Sequence, residues 1–239
     1  RYHKHGDTEY NLEPNIKEAP GGLRDIQLIN WTAKRHFGAQ RRSQLVQNAF
    51  LLEEEYGRFY IDEEFLWRVR DGLHLIAGRS EERLLFDYQR SLAKMFGYTD
   101  GNGKLGVEKF MQRYYRTVLS IRGLTDVLHQ HLDEAIYRGN KTRVNKVVNE
   151  RFILRDNLLD TVTDTTFDDH PSALLEVFVI LGENDSIEGI RASAIRKIRH
   201  AVALIDTEFR ADSANQRLFM RLMRAPYMLS LQLNRMNRY

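Results

Sequence analysis

The sequence predicts a mainly α-helical fold: a multi-helix domain with an extended N-terminal segment and a short β-hairpin near residues 146–162. Apolar side chains recur at three- and four-residue steps through long stretches, which is the period of a helix that buries one face. None of the four prolines lies between Gly22 and Asp169, so nothing there obstructs long helices. With 239 residues, 42% of them apolar, the chain can form one large domain or two small ones.

The first half begins with a segment predicted to be extended, residues 10–17, and a turn at Pro20-Gly21-Gly22. A helix is then predicted from Leu23 to Phe37, closed by Gly38. Its apolar stripe consists of Leu23, Ile26, Ile29, Ala33 and Phe37. Further helices are predicted near 43–55, 60–78 and 84–96, with the Glu81-Glu82 pair read as the start of the last.

The strongest helical pattern runs from Val107 to Ile136, and Gly139-Asn140 is expected to end that helix. The helical rhythm breaks over residues 146–162, where short apolar runs flank Arg155-Asp156-Asn157, and this predicts the hairpin. Later helices are predicted over about 172–182, 188–209 and 212–224, with a last one after Pro226.

Composition excludes several classes of protein. The chain has no cysteine, so neither a disulfide framework nor a thiolate metal site is possible. The densest apolar run, Val177 to Leu181, is far shorter than the roughly 20 residues that span a bilayer, and no membrane association is expected. A net charge of +3 from charges of mixed sign is weak support for nucleic-acid binding. The absence of an initiator Met suggests a piece of a longer protein.

One stretch, NIKEAPGGLRDI over residues 15–26, has the pattern of a site. An extended segment turns through two glycines into a helix N-terminus, where backbone N–H groups and the helix dipole favour an anion. Lys17 and Arg24 flank the turn and could hold phosphate oxygens, and Asp25 lies in the first turn of the helix. The alternative is a simple turn, with Asp25 offsetting the dipole. The stretch is not a P-loop and not a dinucleotide fingerprint.

The histidines give no convincing metal site. His129 and His131 are two residues apart in a predicted helix and so face different ways, and Asp168-Asp169-His170 lies where a helix cap is expected. We therefore predict no metal ligand in this chain.

Long motifs resemble a known family. The run YNLEPNIKEAPGGLRDIQLINWTAKRHFG is similar to the segment after the nucleotidyltransferase core of bacterial PII uridylyltransferase/uridylyl-removing enzymes. The resemblance continues through FLWRVRDGLHLIAGRSEERLLFDYQRSLAKMFGY, VEKFMQRYYRTV, RFILRDNLLD and HPSALLEVFVILGENDSIEGIRASAIRKIR to APYMLSLQLNRMNRY. It covers essentially the whole chain.

The resemblance implies a cytoplasmic bifunctional enzyme that moves UMP from UTP onto a tyrosine of the PII signal protein with Mg²⁺, removes it at a later His-Asp (HD) domain, and senses glutamine. It implies that residues 1–22 are the tail of the transferase core, 23–145 a helical domain, and 146–239 a hairpin and helical linker leading toward the HD domain. The family's acidic Asp-x-Asp pair is absent here, so the chain alone should be inactive and without cofactor. Residues expected to edge the nucleotide or PII-facing cleft are Asn15, Lys17, Gly21, Gly22, Arg24 and Asp25.

Alternative functions remain at this point. The chain could be a purely structural spacer between two catalytic domains. It could also belong to a related adenylyltransferase that acts on glutamine synthetase. A nucleic-acid-binding helical domain is the most distant alternative, because the net charge is small.

Overall fold

A computed structural model describes residues 11–37, 43–47, 51–137 and 145–239. The contacts divide the chain into two compact units, Arg1–Leu128 and His129–Tyr239. The three domain segments inferred from the sequence stay a prediction about the whole protein. Within the described ranges, no helix combines the length and the apolar character that crossing a membrane requires.

The first unit is built from helices. They are α1 (Leu23–Phe37), α2 (Ser43–Gln47), α3 (Glu53–Ala77), α4 (Phe86–Met95) and α5 (Gly106–Tyr137), the last of which runs into the second unit. The predicted mainly helical fold is confirmed, and α1 has the predicted bounds. The predicted end signals Gly38 and Gly139-Asn140 lie outside the described residues.

Helix α3 begins earlier than the sequence pattern suggested. Glutamates 53, 54 and 55 occupy its first turn, where their negative charges interact favourably with the positive end of the helix dipole. The Leu52 N–H also donates to the Glu55 side chain at 2.9 Å. The helix ends at Gly78, whose φ of 63° is the left-handed conformation usual after a helix. The predicted helix over 43–55 is therefore two elements, α2 and the start of α3.

The core of the first unit lies between these helices. Three of the predicted stripe residues of α1, Leu23, Ile26 and Ile29, are buried, while the side chains of Ala33 and Phe37 lie outside the described set. Phe110 of α5 is fully buried and its ring lies about 6 Å from those of Phe96 and Tyr98. Each such apolar side chain contributes roughly 1.5–3 kcal/mol on burial, so the interhelical contacts hold the unit together.

The second unit combines a small sheet with helices. Its elements are β1 (Asn145–Val147), β2 (Phe152–Arg155), β3 (Leu158–Thr161), α6 (Thr166–Asp169), α7 (Ala173–Glu183), β4 (Gly189–Ile190), α8 (Ala192–Ala201), α9 (Thr207–Ala211), α10 (Ser213–Met223) and α11 (Leu229–Arg238). Helix α7 is buried along most of its length, as its continuous apolar run requires.

The predicted hairpin is present and belongs to a larger sheet. Strands β2 and β3 pair antiparallel around Asp156 and Asn157, whose φ values of 54° and 63° are those of a tight hairpin turn. Strand β1 adds antiparallel to β2, and β4 adds parallel to β3, giving the order β1-β2-β3-β4.

The continuous helix predicted over 188–209 is wrong. Leu158 and Leu159 of β3 pair with Gly189 and Ile190, which holds that segment extended. Helix α8 follows, then a 3₁₀ turn (Val202–Leu204), and Asp206 caps α9 by accepting from the Phe209 N–H at 2.8 Å.

Candidate functional site

The segment from Asn15 to Asp25 forms one closed turn ahead of α1. The Asn15 side-chain oxygen accepts hydrogen bonds from the backbone N–H groups of Lys17 and Glu18, at 3.0 and 2.8 Å. Asparagine is common in such turns because its side chain mimics a backbone acceptor. All six residues predicted to form the site are therefore brought together locally, with Asn15 closing the turn.

Gly21 and Gly22 allow close approach, and what approaches them is the protein's own backbone. A Cβ on Gly21 would lie 1.9 Å from the carbonyl oxygen of Val118 in α5, and the φ of Gly21 is 76°. A Cβ on Gly22 would lie 2.6 Å from the carbonyl oxygen of Ile16. The turn is thus seated directly against α5, and any side chain at position 21 would separate the two.

Asp25 holds the turn from inside. Its side chain is almost fully buried, and Oδ2 accepts a hydrogen bond from the Gly21 N–H at 2.7 Å. A buried carboxylate needs such donors, because leaving it unpaired would be costly. This geometry assigns Asp25 an orienting role toward the turn.

The first amides of α1 also find partners within the turn. The N–H groups of Leu23 and Arg24 donate to the carbonyl oxygens of Ile16 and Lys17, at 3.1 and 2.9 Å. A helix N-terminus binds an anion through amides that lack an internal acceptor. Because these amides are already bonded, an anion bound at this turn would have to be held by side chains.

The two cationic side chains at the turn differ. The Arg24 guanidinium pairs with Glu18, with Nη2 and Oε1 2.6 Å apart. Lys17 is half-buried and has no ion-pair partner within the described part of the chain. Of the two, Lys17 is the cation available to a further ligand without breaking an existing pair.

A neighbouring segment, residues 81–86, anchors the turn to the first unit. The Ile16 N–H donates to the Glu82 carbonyl oxygen at 2.8 Å, and the Leu84 N–H donates to that of Pro14 at 2.9 Å. The Glu82 side chain accepts from Arg70 of α3 at 3.0 Å, and this hydrogen bond raises the pKa of Arg70. The Glu81-Glu82 pair does not start a helix as predicted, because α4 begins only at Phe86.

The sequence interpretation missed this anchoring role. The charged run before α4 was visible, but its pairing with residues 14–16 joins positions some 70 apart along the chain. No local pattern indicates such a contact.

The described residues also bear on metal binding. Among residues 11–37, 43–47, 51–137 and 145–239, no three His, Asp or Glu side chains come together in a way that could hold a metal ion. No catalytic step through the Mg²⁺ that the resemblance implies for the whole enzyme is therefore derived from the described side chains.

Comparison with known proteins gives consistent matches. The family model "GlnD PII-uridylyltransferase" matches residues 1–129, and "Uridylyltransferase GlnD third domain" matches residues 152–239. Curated proteins described as bifunctional uridylyltransferase/uridylyl-removing enzymes match over all 239 residues. They include those of Ectopseudomonas mendocina, at 47% identity, and of Pseudomonas aeruginosa and Azotobacter vinelandii, each at 48%.

These matches cover only part of each related protein. The whole of this chain is covered, but it spans only 27% of the length of each of those proteins. No solved structure matches the chain.

Proposed function

Because the chain belongs to the GlnD PII-uridylyltransferase family, we propose that it is a non-catalytic helical region of a cytoplasmic bifunctional enzyme that attaches UMP to the PII signal protein and removes it. The observation that supports this most strongly is the similarity of all 239 residues to part of proteins described as bifunctional uridylyltransferase/uridylyl-removing enzymes. In this proposal UTP and Mg²⁺ serve the transfer and glutamine regulates it, with the metal-binding carboxylates and the glutamine site outside the described residues.

Within that enzyme, the proposed task of the Asn15–Asp25 turn is to edge the nucleotide or PII-facing cleft. Asn15, Gly21, Gly22 and Asp25 keep the turn closed and seated against α5. Lys17 then presents its ammonium group to a phosphate oxygen. Arg24 contributes a second contact by exchanging Glu18 for phosphate, since guanidinium groups bind both kinds of oxyanion.

The test uses Lys17→Ala and Arg24→Ala in the full-length enzyme, singly and together. If the side chains contact phosphate, the KM for UTP should rise by about tenfold for each lost contact, which corresponds to roughly 1.4 kcal/mol. The measurement is the initial rate of UMP transfer as UTP is varied, with PII held saturating.

Glu18→Gln is the matched control. This variant breaks the same ion pair from the acidic side and leaves Arg24 in place. A phosphate role for Arg24 predicts that Glu18→Gln leaves the KM for UTP unchanged or lowers it. Equal losses in Glu18→Gln and Arg24→Ala would show that only the ion pair matters.

The second candidate function is a structural spacer that touches neither substrate. It is favoured by one specific observation: the first amides of α1 and the Arg24 guanidinium already have partners inside the protein. Under this alternative, Lys17→Ala leaves the transfer kinetics unchanged. An adenylyltransferase that acts on glutamine synthetase would instead use ATP in place of UTP in the same assay.

A further inference from the structure

The first unit has a small cleft where α3, α5 and the segment after α4 meet. Its volume is about 210 Å³, and it is lined by Phe65, Arg68, Phe96, Tyr98 and Arg113. Sites for drug-sized ligands usually have volumes of roughly 300–1,000 Å³. The cleft can therefore hold one small charged group, and it is too small to enclose a nucleoside triphosphate.

The aromatic rings that line the cleft are anchored in the core. Phe110 of α5 is fully buried, and three half-buried rings surround it. The centroids of Phe65, Phe96 and Tyr98 lie 6.4, 6.0 and 5.8 Å from that of Phe110. Aromatic pairs at such distances stabilise each other beyond the burial of their area, so the rings give the cleft a firm lining.

Two arginines are held on these rings. The guanidinium carbon of Arg113 lies 4.8 Å from the ring centroid of Phe65, and that of Arg68 lies 5.8 Å from the ring centroid of Phe96. Attraction to a ring face leaves the N–H donors at the edge of a guanidinium for other partners. It also restricts a long side chain in advance, so less entropy is lost when a ligand binds.

The donors of the cleft have no acceptor among the residues that the structure describes. Neither Arg68 nor Arg113 forms an ion pair or a side-chain hydrogen bond there, and the Tyr98 hydroxyl makes no hydrogen bond there either. In contrast, the guanidiniums of Arg24 and Arg70 are each paired with a glutamate. Two positive charges at one cleft repel each other, and an anion bound to both would remove that repulsion.

Charges around the cleft have both signs, and this limits the size of the anion. Glu64 and Asp71 are exposed one turn to either side of Arg68 on α3, and neither forms an ion pair with it. Asp100 and Glu108, near the start of α5, accept hydrogen bonds from backbone N–H groups. An extended polyanion such as a nucleic acid would meet these four carboxylates, whereas a small anion contacts only the donors of the cleft itself.

We propose that this cleft binds the phosphate group of a small molecule, which is contacted by both guanidiniums and by the Tyr98 hydroxyl. A carboxylate has two oxygens, which a single guanidinium fork satisfies, whereas phosphate offers three or more oxygens to the three donor groups. Free phosphate and phosphate esters share this chemistry. Neither Lys17 nor Arg24 lines the cleft, so the inference does not depend on the proposed function.

The test follows inorganic phosphate by phosphorus NMR at low ionic strength as the 239-residue chain is added. Arg68→Gln and Arg113→Gln should each weaken binding by about tenfold, and Tyr98→Phe by about threefold, because a charged donor contributes more than a hydroxyl. Arg113→Lys should restore only part of the loss, since an ammonium group keeps the charge without the fork. Unchanged thermal midpoints show that the variants fold.

Matched controls make the result specific to the cleft. All variants are made in a Lys17→Ala background, so that the turn before α1 does not contribute, and Arg217→Gln, at an exposed arginine of α10, should leave binding unchanged. Phenyl phosphate separates the two sources: binding several-fold tighter than that of inorganic phosphate assigns the cleft to an ester, and equal binding assigns it to free phosphate. Absence of saturable binding, equal weakening in Arg217→Gln, or displacement of phosphate by an equal concentration of acetate would overturn the proposal.

Discussion

Single residues decide whether the turn before α1 can form. Gly21 combines a positive φ with a backbone contact so close that no side chain fits, whereas Gly78 has a positive φ with open space around it. The sequence shows both glycines, and the Pro-Gly-Gly pattern correctly predicts a turn. That Gly21 rests on Val118 depends on how α5 packs, which the local pattern does not contain.

This pair of glycines allows a matched comparison of stability. Gly21→Ala should lower the free energy of unfolding of the first unit by about 3 kcal/mol or more, because the cost of a positive φ adds to the cost of the clash with Val118. Gly78→Ala should cost only about 1 kcal/mol, since strain in φ acts alone. Urea unfolding of both variants measures the difference. Equal losses would contradict the close contact with α5.

Glu81 makes a contribution to stability that depends on pH. The Arg83 N–H, together with the Arg79 guanidinium and the Glu82 N–H, lowers the pKa of Glu81 below its ordinary value of 4.5. The folded state thus favours the ionised carboxyl. The resulting stabilisation is fully present above pH 4.5 and is lost as pH falls through the lower pKa of the folded state.

Glu81→Gln should therefore remove part of the pH dependence of unfolding below pH 4.5. The measurement is the thermal midpoint of the chain between about pH 3 and pH 6, where carboxyl groups titrate. Glu64→Gln, at an exposed glutamate in the middle of α3, is the control and should keep the wild-type profile. Parallel profiles for wild type and Glu81→Gln would exclude this role.

At the scale of elements, the sequence correctly predicts the helices and the hairpin whose formation depends on local patterns. Helix α1 and the long helix α5 have their predicted bounds or nearly so, because the apolar period is sustained and glycines punctuate it. The hairpin was predicted from short apolar runs around Asp156-Asn157. Errors arise where distant residues decide: pairing of Gly189 and Ile190 with β3 interrupts a helical pattern, and pairing with residues 14–16 keeps 81–85 extended.

The hairpin turn can be improved in a predictable way. Asn157 has a φ of 63°, which glycine adopts more readily, and its side-chain amide donates a long hydrogen bond, 3.3 Å, to the Glu188 carboxylate. Asn157→Gly should raise the stability of the second unit by about 0.5 kcal/mol, and Asn157→Ala should lower it by about 1 kcal/mol. Denaturant midpoints give both values. A loss of stability in the glycine variant would show that the bond to Glu188 outweighs the backbone preference.

At the scale of the whole molecule, the chain is a helical region whose proposed role depends on domains elsewhere in a much longer enzyme. Its relatives are almost four times as long, and the described residues bring together no acidic cluster for a metal. Family membership follows from long motifs, which composition and charge alone could not supply. The contribution of Lys17 and Arg24 to the cleft stays a prediction until their variants are measured.

The most direct test of the central claim is one assay of UMP transfer to PII, with UTP and Mg²⁺, on the full-length enzyme and on the isolated 239-residue chain. We predict transfer by the full-length enzyme and none by the chain alone, because phosphoryl transfer of this kind needs metal-binding carboxylates that the described residues do not assemble. Turnover by the isolated chain, or a full-length enzyme that does not use UTP, would contradict the account.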